Sequence, residues 1–69
     1  MKLDFKDWLK RERINKGLSQ AELAEKSGVV LYTISNYERG LTKPRIDKVK
    51  KLCEALDVEV TKITKYLGE

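Results

Sequence analysis

Histidine is absent from this 69-residue chain, and cysteine and proline occur once each, at Cys53 and Pro44. With no imidazole and no second thiol, the usual metal-ligand sets and the commonest general base are missing, and no glycine-rich phosphate loop is present. An enzyme is therefore not expected, nor is a metal or other cofactor. A single cysteine allows no disulfide framework, so the core must hold by apolar burial alone, near the lower size limit for a domain that folds unaided. Cys53 itself reads as a small core residue. With no export signal, it points to a reducing, cytoplasmic setting. The longest clear apolar run, Val29 to Tyr32, is far too short to cross a bilayer, so no membrane role is expected. Alternation of the strand type is also missing. These absences leave a small all-α domain spanning residues 1–69, with no repeat, low-complexity segment or internal boundary.

What is present is helical periodicity. Asp4 can cap a first helix running to about Lys16, with Phe5, Leu9 and the stem of Arg13 on one face and Trp8 beside them. Gly17 ends it, and Leu18 packs as the chain turns. Ser19 is a strong N-cap for a second helix, and Glu22 three residues later completes a capping box. Leu23 and Ala24 face inward, and the small Ala24 lets another helix cross closely. Gly28 can take the positive φ that a sharp turn needs. Ile34 and Tyr37 then give the inward stripe of a third helix. An alanine, a glycine four later and an isoleucine six after that is the spacing of a helix-turn-helix, here at residues 20–39. Gly40 is a C-cap candidate, followed by a loop closed by Pro44. Ile46, Val49, Leu52, Cys53 and Leu56 make the stripe of a fourth helix, and Asp57 stands where a left-handed residue often ends one. A fifth helix is expected at about Val60 to Leu67, with Ile63 and Leu67 inward. The expectation is a compact five-helix bundle.

The net charge of +4 is modest, but its placement is uneven. From Arg39 to Lys51 the chain carries six basic residues and one acid, Asp47. That concentration just after the helix-turn-helix permits nucleic-acid binding, while a solvated lysine-rich face accounts equally simply for Lys48, Lys50 and Lys51.

At 100° per residue, Ile34, Tyr37 and Glu38 point one way on the third helix. Tyr32, Asn36 and Arg39 point the other, with Thr33 and Ser35 flanking. The outer group suits a major groove, which admits one α-helix. Asn36 could pair bidentately with adenine, and Tyr32 or Thr33 could touch a thymine methyl or a phosphate oxygen. Leu31 could meet a thymine methyl or pack at the core edge. Arg39 could reach a phosphate or a guanine edge, and Ser35 a phosphate. Gln20, at the start of the second helix where backbone N–H groups lack partners, is a phosphate candidate, as are Lys43 and Arg45 in the loop. Arg45 could instead cover apolar surface with its stem. Arg13 and Glu38 both fall near inward stripes, so an ion pair tying the first helix to the third is expected. Trp8 and Tyr66 read as core edge.

The strings LSQAELAEKSG, TISNYERG, KPR and KKLCEALDV resemble the Cro/cI-type (XRE-type) helix-turn-helix of phage repressors and small bacterial regulators, over about Leu9 to Leu67. The resemblance implies a lambda-repressor-like five-helix fold and a dimer that binds inverted-repeat, double-stranded DNA operators, most simply as a repressor. It implies that Gln20 contacts a phosphate and orients the reading helix. Leu31, Tyr32 and Asn36 would read bases, and Arg13 and Glu38 would form the interhelical pair. Val30 stands where the family prefers a Ser or Thr cap, Leu31 replaces a commonly polar residue, and Arg45 and Glu59 lack the customary cap serines. A dimer would use Val58, Val60, Ile63, Tyr66 and Leu67. The alternative is a protein-interaction module, an antitoxin or antirepressor subunit using Val30-Leu31-Tyr32 as an apolar contact patch.

Overall fold

Four α-helices account for most of residues 4–62, the part of the chain that the computed structural model describes. They are α1 (Phe5–Asn15), α2 (Gln20–Ser27), α3 (Leu31–Arg39) and α4 (Ile46–Leu56), followed by a short 3-10 turn at Val60–Lys62. No strand occurs among the described residues. Apart from that turn, the fifth helix expected at about Val60 to Leu67 lies outside the described residues, as do Ile63, Tyr66 and Leu67.

The helix ends follow from local chemistry. The Ser19 hydroxyl accepts the Glu22 N–H at 3.0 Å while the Glu22 carboxylate accepts the Ser19 N–H at 2.8 Å, a complete capping box. Gly28 closes α2 at φ 78°. Its N–H returns to the Ala24 carbonyl, and the Ser27 hydroxyl accepts the Val29 N–H at 3.1 Å, so both of these turn N–H groups have partners. Asp57 ends α4 in the left-handed region at φ 60°. Two starts are weaker. Asp4 occupies the N-cap position of α1, but its side chain makes no capping hydrogen bond. Val30 begins α3 with no side chain able to cap.

The helices close around Leu9, Leu23, Val29, Ile34, Val49, Leu52 and Leu56, all fully buried, with Cys53 and Trp8 among them. Each large aliphatic contributes about 1.5–3 kcal/mol by leaving water. Phe5 stacks obliquely on Trp8 at 5.6 Å and meets Tyr37 edge-on at 5.8 Å. That aromatic corner ties α1 to α3, while α2 packs on both α3 and α4. Ile46 departs from its expected inward place and is 53% exposed. Its azimuth matches the α4 stripe, but it stands in the first turn, where the chain enters from the exposed loop, at the edge of the core. Ala55 is buried instead.

Candidate nucleic-acid interface

The two helices flanking Gly28 present α3 with its back in the core and its outer edge in solvent. Ile34 and Tyr37 are buried, and behind them the Glu38 side chain is only 3% exposed. Tyr32 is 74% exposed, Val30 63% and Leu31 44%, so Leu31 lies at the surface rather than in the core. Arg39 is exposed at the far end, and Thr33 and Ser35 are half-buried. Asn36 requires a correction: it is 9% exposed, not presented outward beside Tyr32. A helical wheel treats α3 as an isolated cylinder. In the fold the chain reverses at Gly40, and the Leu41 N–H returns to the Asn36 carbonyl at 3.0 Å, so the last turn of α3 is followed closely by the next segment.

A charged network fixes the pitch of α3 against the rest. Arg13 Nε donates to Glu38 Oε2 at 2.7 Å and Nη2 donates to Oε1 at 3.0 Å, a two-point contact between α1 and α3. Arg13 Nη1 donates to the Leu18 carbonyl at 2.8 Å. The hydrogen bond to Glu38 raises the Arg13 pKa, against the lowering that burial brings, and the carboxylate's charge adds to the rise. Gln20 Nε2 also donates to Glu38 Oε1, at 3.0 Å. One N–H of the Gln20 amide is thus engaged within the protein, which leaves the second N–H and the first-turn backbone N–H groups of α2 as donors.

The basic residues fall on the loop and on α4. Lys43, Arg45, Lys50 and Lys51 are exposed and Lys48 is half-buried. Arg45 extends into solvent, 3.8 Å from Asp47, instead of covering apolar surface. The loop is held by a contact that the pattern of apolar residues did not indicate: the Arg45 N–H donates to the Tyr37 hydroxyl at 3.1 Å. The available signal was the residue type, because a buried tyrosine generally finds a partner for its hydroxyl. Among the described residues no group of three or more His, Cys, Asp or Glu side chains is arranged to hold a metal ion. No described helix is long and apolar enough to cross a membrane.

A short helix, a left-handed glycine turn and a second helix with a buried back and an open, flanking-basic edge define a helix-turn-helix domain. The chain belongs to the helix-turn-helix family, whose profile matches residues 9–63. It is similar to the HTH-type transcriptional regulator SinR of Bacillus subtilis, with 45% identity over 53 residues that cover 75% of this chain and 48% of SinR. It therefore spans about half the length of that curated relative. Among solved structures it resembles SinR, the master regulator for biofilm formation, in complex with DNA, with a TM-score of 0.81 and 38% identity over 86% of this chain and 95% of that one. It also resembles a chain of the SinR–SinI protein complex, with a TM-score of 0.82 and 38% identity over 87% of this chain and 59% of that one.

Proposed function

We propose that this chain is a sequence-specific binder of double-stranded DNA that regulates transcription, most simply as a repressor covering a promoter. The single observation that carries this reading is the outer edge of α3. Tyr32, Leu31 and Arg39 stand in solvent while Ile34, Tyr37 and Glu38 anchor the opposite side. A helix held in that way can enter a major groove, and a binding module without catalytic groups is the corresponding class. Leu31, Tyr32 and Thr33 face the bases in this reading, with the less exposed Asn36 beside them. Arg39, Lys43, Arg45, Ser35 and the start of α2 at Gln20 contact phosphates, which fix position without reading sequence. The likeness to SinR, solved with DNA, supports it.

The working form is a homodimer, at least on DNA, in the cytoplasm. Two α3 helices about 34 Å apart would match half-sites one helical turn apart in an inverted repeat. Selection of binding sites from random duplexes, followed by a salt titration, tests both parts. The expected outcome is a palindromic consensus whose affinity falls steeply with salt. Absence of enrichment removes the proposal.

A second reading is favoured by one comparison and one surface. SinR has been solved with the protein SinI, and Val30, Leu31 and Tyr32 form an exposed apolar edge here. In that reading the chain keeps the fold but docks a protein, as an antitoxin or antirepressor subunit does. Hydrogen-exchange protection of residues 30–32 by a purified protein partner, without DNA, would favour it.

A further inference from the structure

The first turn of α3 is the most accessible part of the proposed reading edge, and it is unusually poor in hydrogen-bonding side chains. Val30, Leu31 and Tyr32 are consecutive and exposed, and between them they carry one polar side-chain atom, the Tyr32 hydroxyl. Thr33 is half-buried, and Asn36 is 9% exposed. Asn36, the residue that the helix pattern pairs with adenine, is thus far less exposed than the apolar surface that opens the helix.

Major grooves offer one apolar feature that distinguishes base pairs, the C5-methyl group of thymine; 5-methylcytosine carries the same group. We infer that the Val30-Leu31-Tyr32 edge recognises its DNA through C5-methyl groups on pyrimidines, so that methyl contact rather than hydrogen bonding sets its base preference. The occupant follows from position. The edge opens the helix that follows the Gly28 turn, and the exposed cations Arg39, Lys43 and Arg45 share the region beyond that helix's other end. A polar, anionic duplex with a methyl-bearing groove complements both features, whereas an apolar protein surface would leave the cations unmatched. The inference rests on the DNA reading above and deepens it.

The experiment uses duplexes enriched from a random pool by the whole chain. Each dT in the enriched half-site is replaced in turn by dU, which removes only the methyl. Binding should weaken about fourfold at each contacted position, the worth of one buried carbon, and should stay unchanged elsewhere. In the reverse direction, a contacted T·A pair is exchanged for dC·dG with and without a 5-methyl group. The methylated form should bind about fourfold better than the unmethylated one. Leu31→Gln and Val30→Ser, both at exposed positions where folding is easily verified by circular dichroism, should lose the sensitivity to dU. Tight, salt-sensitive binding that is indifferent to every dU replacement overturns the methyl inference and leaves the DNA reading standing. A pool that yields no enriched duplex overturns both.

Discussion

Arg13 and Glu38 lie 25 residues apart in sequence and meet in a two-point ion pair, their side chains 12% and 3% exposed. A pair this covered is costly to break from one side, because the surviving charge remains without a partner. Glu38→Ala is expected to cost about 3–5 kcal/mol, most of the stability of a small domain. The double replacement Arg13→Met with Glu38→Leu should lie much closer to the parent, since neither charge is left stranded. Urea denaturation of the three proteins at low temperature measures the difference. Equal losses in the single and double variants would contradict the argument.

The uncapped start of α3 gives a prediction of opposite sign. Val30 sits at the N-cap with extended backbone, φ −59° and ψ 139°, but offers no oxygen to the first-turn N–H groups. Val30→Ser should stabilise the fold by about 1 kcal/mol. In a chain of this size that is a rise in Tm of about 4–8 °C, readable in a thermal melt. Because Val30 is exposed, little burial is lost in the exchange.

The loop cations can be separated from the reading edge by their response to salt. If Lys43 and Arg39 each neutralise a phosphate, alanine at either position should weaken binding to all duplexes nearly equally. Each should also reduce the slope of log K against log salt by about one. Leu31→Ala should leave that slope intact while changing which duplex is preferred. Fluorescence anisotropy at several salt concentrations on matched and scrambled duplexes separates the two behaviours.

Burial pushes the Cys53 thiol above its ordinary value of 9.0. The folded chain thus holds a proton that the unfolded chain releases earlier as pH rises. This contribution to stability is full below the ordinary thiol value and is lost as pH climbs through the folded one. Cys53→Ala should accordingly show a shallower decline in stability above about pH 9, whatever its offset at neutral pH. Iodoacetamide should label the native thiol slowly at pH 7 and rapidly in urea, since the thiolate is the reactive species.

Features that depend on a few neighbouring residues could be read from sequence. The Ser19–Glu22 capping box, the Gly28 turn and the left-handed Asp57 each follow from side-chain chemistry within one helical turn. The meeting of Arg13 with Glu38 was legible for a related reason: each charge occupies an inward stripe, where only a partner makes it tolerable. Asn36 and Ile46 were misplaced by the same periodic reasoning. A wheel reports azimuth but not height along the helix, nor the segment that follows. Ile46 stands one turn too early, and Asn36 stands where the chain doubles back after Gly40. Gln20 shows a third limit: nothing within its own helix indicates that its amide donates to Glu38, 18 residues away, at 3.0 Å.

The hydroxyl of Tyr37 has a mechanical consequence. Its ring is wedged edge-on against Phe5, while its oxygen takes the Arg45 N–H at 3.1 Å. That hydrogen bond ties the Arg45 end of the basic loop to α3. Phenylalanine at this position would preserve the aromatic wedge yet unfasten the segment. On the DNA reading proposed above, the variant should melt almost normally yet bind its duplex more weakly.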